Sequence, residues 1–600
     1  MATSRRRCLV AALLLLVVVA LWLGWASSPW LPPRRPSTPG TSPLEPPDDD
    51  FIWRRVKHRY PVTSFRPLPT AAADALPRVQ AHFAAESAAR KQLRLQRRDA
   101  IKAAFTKSWT AYKQHAWLRD EVTPVTGQPR DTFGGWGATL VDSLDTLWVM
   151  DMKADFEAAV DAAHRNVSFA TTPAPTVNVF ETTIRFLGGL LSAYDLSGDA
   201  RLLAKARDVG DMLYAAFDTP NHLPVTRWDL HAAARGEPQA ALSSTLLAEV
   251  GSLGLEFTRL SLVTGDARYH DAVLRIAELL AAAQPATKVP GLWPILVDAA
   301  AADFDAGADY ALGGMADSAY EYLPKMAALL GQGTGLYADM YARSTAASRE
   351  HLFFRPMTPT AEDVLFPGVL HAGDGGASAS LETSAGHLTC FTGGMLALGG
   401  RLLANETHLD WADRLTRGCL WAYASLPTGV MPETFHLAAC PDASSCAWDE
   451  ARWHAAVRSR QPSSDDDDDD AAARAAIEEQ RLPPGFTHIP DARYVLRPEA
   501  VESVFVMYRT TGDPRWQDRA WALWTAVDAL TSTPLANSAV WDVNPRPGEA
   551  PGLADSMESF WLGETLKYLY LVFSEPGLVS LDEWVFNTEA HPFRRLTVAV

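Results

Sequence analysis

Arg185 to Phe217 reads RFLGGLLSAYDLSGDARLLAKARDVGDMLYAAF. Two amphipathic runs flank the pair Gly198-Asp199. Glycine takes the left-handed conformation that ends a helix, and aspartate caps the helix that follows. A link this short folds the two helices back antiparallel. The connector returns as Val263-Thr264-Gly265-Asp266-Ala267-Arg268 and as Thr511-Gly512-Asp513-Pro514-Arg515, each between amphipathic runs. GGMADSAYEYLPKMAALLG with LYADMYARSTAASREHLFF reads as another hairpin, as does HLTCFTGGMLALGGRLLA with LDWADRLTRGCLWAYASL. Repeated hairpins bury a common face against their neighbours. An all-α toroid is therefore predicted from about Ala81 to the C-terminus, with inner helix ends and loops around a central pocket.

Four acid pairs punctuate these hairpins: Asp142 with Asp145, Asp317 with Glu321, Glu499 with Glu502, and Glu558 with Glu564. The first three are spaced to share one helical face. All lie in apolar surroundings, where carboxylates are costly unless paired, hydrogen-bonded or bound to a cation. Two carboxylates flanking a bond, with waters, are the equipment of glycoside hydrolysis. Each acid also has a plainer reading. Glu499 follows Arg497-Pro498 and suits a helix N-terminus; Asp317 suits a cap; Glu181 with Arg185 matches an intrahelical ion pair.

The net charge of −17 over 600 residues argues against nucleic acid as a partner. Residues 1–26 combine three arginines with a charge-free run from Cys8 to Ala26, which reads as a membrane-spanning signal anchor with the body lumenal. Cleavage after Ala26 is the alternative. Residues 27–80 are rich in Pro and Ser and read as a disordered stem before a catalytic body over 81–600. A charged stretch at about 440–484, with acids at 465–470, reads as an exposed insertion; a run of like charges stays solvated rather than binding calcium. Four cysteines beyond Cys8 suit an oxidising lumen, as do the sequons at Asn166 and Asn405. No HExxH, P-loop or GxSxG occurs.

The strings GGWGATLVDSLDTLWVM, FETTIRFLGGLLSAYDLSGD, LAEVGSLGLEFTRLS, DSAYEYLPK, HLTCF, VMPETF, LRPEAVESVFVMYR, MESFWLGETLKYLYLVFS and FNTEAHP follow in one order from about Asp99 to Phe593. The chain resembles the class I α-1,2-mannosidases, glycoside hydrolase family 47. The resemblance implies an (α/α)7 barrel that hydrolyses terminal α-1,2-linked mannose of Asn-linked oligomannose glycans, with inversion and with Ca2+. It implies that Glu181 and Asp317 serve leaving-group protonation and Glu499 acts as general base. It places Arg185, His387, Arg497 and Phe560 against substrate, and Glu502, Glu564 and Glu589 around the cation and its waters. Thr588 is implied as the direct calcium ligand, and Cys390 with Cys419 as a disulfide. A monomer in the endoplasmic reticulum or Golgi membrane is expected. The alternatives are a relative serving glycoprotein quality control and a glycan-binding protein with weak catalysis. Met315 departs from the family, some members of which carry Arg two residues before the matching aspartate. A bridge between Cys440 and Cys446 is a further expectation, since five intervening residues close a small loop.

Overall fold

The computed structural model describes residues 51–70, 76–373, 379–442, 446–461 and 469–596. The segment expected to be an anchor and the acids 465–468 lie outside the described residues. Among the described residues no helix is long and apolar enough to cross a membrane.

Helices pair as the connectors require. Gly198-Asp199 joins Gly188–Ser197 to Ala200–Ala215, Gly265-Asp266 joins Gly254–Thr264 to Ala267–Ala283, and Gly512-Asp513 joins Glu499–Thr511 to Arg515–Thr531. The three glycines take φ of +74°, +76° and +71°. Asp199 and Asp266 cap the next helix by accepting from the N–H two residues on. At the third connector the cap moves to Pro514, although Asp513 still accepts from Arg515 N–H at 2.9 Å. Four more pairs complete the set: Leu144–Val149 with Lys153–Asn166, Asp317–Leu330 with Leu336–His351, Phe391–Leu402 with Glu406–Ser425, and Leu566–Val572 with the first long helix, Ala88–His115.

The inner members of these pairs touch in sequence order. Leu144–Val149 meets Gly188–Ser197, and contacts continue through Gly254–Thr264, Asp317–Leu330, Phe391–Leu402 and Glu499–Thr511 to Leu566–Val572. The turn before that last helix, Trp561–Thr565, returns to Leu144–Val149 and closes the ring. The architecture is helical, as the all-α expectation has it, and short antiparallel strands link the helices. They satisfy loop backbone groups that would otherwise be unpaired at the ends of buried helices. One three-stranded sheet matters for the site. Ser384–Gly386, Thr434–Leu437 and Phe486–Asp491 pair in that order, so that His387, Glu433 and the Arg497 loop emerge from its strand ends.

The disordered stem expected to reach residue 80 is corrected over 51–70 and 76–80. Trp53 is buried, donates from Nε1 to Phe169 O at 2.9 Å and lies 5.2 Å from the Trp228 ring. Arg54 pairs with Asp208 and Asp211 at 2.7 and 2.8 Å. Asp218 accepts from the N–H groups of Arg59 and Tyr60 at 2.7 Å, and Asp582 from those of Val79 and Gln80 at 2.8 and 3.0 Å. These carboxylates sit far away in sequence, so the pairing is invisible to a local reading of Pro content. Trp53→Ala is expected to cost about 3 kcal/mol, as truncation of a buried aromatic does. An unchanged urea midpoint would return the segment to the stem.

The described parts of the 440–484 insertion form helices. Its helices Glu450–Arg458 and Asp469–Gln480 pack together and on strand Phe486–Asp491, with Trp453 Nε1 donating to Phe486 O at 2.8 Å. Disulfides join Cys390 to Cys419 and Cys440 to Cys446.

Candidate active site

The candidate acids come from different inner helices and converge at one end of the ring. Asp317 and Glu499 are each the first residue of an inner helix. Glu181 follows the Asn178 cap in the short helix Val179–Thr182. Next to it the backbone widens into a π turn, Thr183–Leu187, which carries Arg185; a second π turn, Trp561–Thr565, carries Glu564. Such turns insert a residue into a helix and recur at functional sites. Here they re-aim Arg185 and Glu564 relative to Glu181 and Phe560. Three residues in the left-handed region lie beside site residues: Met315 (φ +78°), Leu496 (φ +68°) and Ala590 (φ +59°). Backbone held in this way costs about 1–3 kcal/mol and persists where the surroundings impose it.

Arg185 is the hub on one side. Its Nε lies 3.0 Å from Glu181, and its Nη1 pairs with Glu589 and donates to Ser559 at 3.1 Å. The guanidinium stands 4.4 Å from the Phe133 ring centre and 5.9 Å from that of Phe560. On the other side His387 Nδ1 is 2.8 Å from Glu499 and its Nε2 is 2.6 Å from the Tyr423 hydroxyl. An ionised Glu499 accepts from Nδ1–H, which leaves Nε2 to accept from the tyrosine. Arg497 Nη1 lies 4.0 Å from Glu499, and its Nε donates to Glu433 at 2.6 Å. Beneath, Lys325 pairs with Glu321 and reaches Glu502 at 3.1 Å. Thr588 follows Asn587 on the turn that also carries Glu589, and its N–H meets the Tyr322 hydroxyl at 3.4 Å.

The carboxyls separate into contrasting protonation environments. Burial pushes Asp317 up to about 7; Glu321 and Glu499 add to the rise, while Ser318 N–H and Arg497 oppose it. Burial also acts to raise Glu499, but His387 and Arg497 outweigh it and hold this group below its ordinary value. Glu502 and Glu589 are each pushed up to about 8, first by burial and then by carboxylate neighbours, against the opposing charges of Lys325 and Arg185 respectively. Glu564 is driven well up by burial, Glu589 and Glu499. Glu181, Asp317, Glu499, Arg497 and Thr588 are half-buried, whereas Glu321, Glu502, Glu564 and Glu589 are buried.

The structure thus brings together Glu181, Arg185, Asp317, His387, Arg497, Glu499, Glu502, Phe560, Glu564, Thr588 and Glu589. The first acid pair lies just behind them, with Asp142 3.6 Å from Arg185 Nη1. The run divides at Ser143 into Ala138–Asp142 and Leu144–Val149, yet Asp142 and Asp145 still face one side, where His591 lies 3.5 Å from the first and 2.7 Å from the second. Asp145 is wholly buried against Lys567 at 2.8 Å and His591 at 2.7 Å, and Asp142 accepts from Ser559. Both hold the site from behind. Sequence reasoning passed over Glu433, although VMPETF contains it, and Lys325, which sits one helical turn after Glu321. It had no signal for Phe133 above Arg185.

A ring of paired helices that gathers carboxyls of contrasting protonation beside two arginines is the kind of arrangement a glycoside hydrolase uses. Residues 104–595 match the model of glycosyl hydrolase family 47, and the chain belongs to that family. It is 35% identical over 489 residues to the human endoplasmic reticulum mannosyl-oligosaccharide 1,2-alpha-mannosidase, covering 81% of this chain and 62% of that protein's length. It is 33% identical to a mannosyl-oligosaccharide alpha-1,2-mannosidase of Coccidioides posadasii, covering 83% of this chain and 91% of that one. The solved structure of an alpha-1,2-mannosidase from Trichoderma reesei superposes with a TM-score of 0.71 at 31% identity, over 83% of this chain and 99% of that chain.

Proposed function

We propose that this chain hydrolyses terminal α-1,2-linked mannose on Asn-linked oligomannose glycans in the secretory pathway, with inversion, on an (α/α)7 barrel that binds Ca2+. The carrying observation is the opposite displacement of Asp317 and Glu499. One carboxyl keeps its proton near neutrality while the other stays ionised, and such divergence assigns acid and base. In this reading Asp317 and Glu181 supply the proton to the departing oxygen. Glu499 draws the proton from the attacking water, with His387 fixing the oxygen that faces away from that water. Arg185 and Arg497 orient the sugar, and Phe560 offers its ring.

The residues fit a hard cation. Four buried carboxyls, Glu321, Glu502, Glu564 and Glu589, gather near Thr588, and the cations Lys325 and Arg185 do not prevent the pKa values of Glu502, Glu564 and Glu589 from rising. Oxygen donors alone suit Ca2+. Among the described residues no three His, Cys, Asp or Glu side chains converge to hold an ion; likeness to the family supports Thr588 as the direct ligand, with the carboxyls acting through water. When bound, Ca2+ supplies positive charge that orients sugar hydroxyls. Incubating a nine-mannose glycan with the enzyme and following the first-formed mannose by NMR tests the reading. Release of β-mannose supports inversion; release of α-mannose, or no release, overturns it.

Broad branch preference is part of the proposal. Met315 is 53% exposed, two residues before Asp317, so it does not pack between helices. It offers a flexible apolar stem and no donors, where arginine fixes one branch by directed hydrogen bonds. Met315→Arg is expected to narrow the products toward one seven- or eight-mannose isomer. A wild type that already stops after one mannose would refute this and favour the endoplasmic reticulum.

A further inference from the structure

We propose that Asn587, held in place by Glu256, is the positioning residue that sets the Thr588–Glu589 turn against the turn carrying Glu181 and Arg185. The proposal rests on the calcium reading above for one of its consequences and on geometry alone for the other. Asn587 is fully buried and uses its whole amide. Its Oδ1 accepts from the backbone N–H of Glu589 at 2.9 Å and of His591 at 2.8 Å. Its Nδ2 donates to Ile184 O at 3.0 Å and to Glu256 Oε1 at 2.7 Å. Ile184 lies inside the π turn next to Arg185. One amide therefore ties the turn that presents Thr588 to the turn that aims the guanidinium.

Glu256 orients that amide from a third inner helix. Its Oε1 also accepts from the Tyr322 hydroxyl at 2.7 Å, and the Tyr322 oxygen accepts from Thr588 N–H at 3.4 Å. Its Oε2 is buried with no partner among the described residues. Leaving a buried acceptor unpaired is costly, so this carboxyl is not placed for its own solvation. Both donors that it does receive belong to the group around Thr588. With Oε1 filled by two donors, the amide of Asn587 has one orientation. The opposite flip would set its oxygen against Glu256 Oε1 and Ile184 O. Room for the amide comes from Gly188, where a Cβ would stand 2.7 Å from Asn587 Nδ2.

Three variants test this. Glu256→Gln keeps the Oε1 acceptor, Glu256→Leu removes it, and Asn587→Asp keeps Oδ1 while replacing the Nδ2 donor by oxygen. Residues that orient a metal ligand from behind are typically worth about 10–100-fold in affinity. Calorimetric calcium titration is expected to show that loss for Glu256→Leu and Asn587→Asp, and near wild-type affinity for Glu256→Gln. In metal-free protein, the Glu589 and His591 amides are expected to exchange about tenfold faster in Glu256→Leu, the equivalent of one lost hydrogen bond, and unchanged in Glu256→Gln. If wild type and Glu256→Leu bind calcium equally, the positioning role is overturned while the calcium reading stands. If wild type binds none, the calcium reading falls. The exchange result then decides alone: faster exchange in Glu256→Leu supports the clamp, and unchanged exchange overturns it.

Discussion

Glu499→Gln is expected to lower kcat by about 10²–10⁴-fold, the usual worth of a general acid or base, with folding and sugar binding retained. Glutamine fills the same volume and still presents an oxygen to His387, but it takes no proton from water. At 1.36 kcal/mol per decade the loss corresponds to roughly 3–5 kcal/mol of transition-state stabilisation. The same geometry sets the pH profile. Glu499 is held below its ordinary value, so the acid limb falls under the usual glutamate range. Asp317 gives up its proton near 7, so kcat/KM declines as pH rises through that value. Asp317→Asn removes that alkaline limb together with most of the activity. Wild-type turnover in purified Glu499→Gln, or a rate that keeps rising beyond pH 8, would remove these two residues from their roles.

Helical hairpins and their order were legible because a Gly-Asp connector carries its geometry in two residues. The glycine angles and the Asp199 and Asp266 caps follow from backbone sterics and one side-chain oxygen, both local. The acids of the site were legible as pairs in apolar context, but their sorting was not. Asp142 and Asp145 have the same spacing as Glu499 and Glu502, yet they face His591, with Ser559 on the first and Lys567 on the second, partners that lie more than four hundred residues away in sequence. Glu181 with Arg185 has the spacing of an ordinary ion pair. The π turn that joins Arg185 to Glu589 leaves no trace in periodicity. The boundary of the N-terminal stem failed for a related reason. Arg54 and Arg66 look like solvated charges until Asp208, Asp211 and Asp271, more than a hundred residues away, are known to face them.

Exhaustive chelation is expected to abolish turnover and to lower the melting temperature, and the size of that drop should grow with pH. A cation that binds only the folded state adds about 2.7 kcal/mol at a hundred times its dissociation constant. The pH dependence follows from the pocket carboxyls. Glu502 and Glu589 titrate at about 8 in the fold, against about 4.3 in an unfolded chain. Between those values the folded state binds more protons, so stability falls as pH rises. Their contribution is fully present below about pH 4 and is lost as pH passes through 8. Metal-free protein should therefore melt at progressively lower temperature across that window. Bound calcium favours the ionised carboxylates through the intervening waters and supplies the charge compensation that the protons otherwise give, so the loaded protein should show a flatter profile. Melting curves from pH 5 to 8, with calcium and with chelator, check this. Parallel curves at all pH values would place the cation away from Glu502 and Glu589, and full activity in protein shown to be calcium-free would remove it from the site.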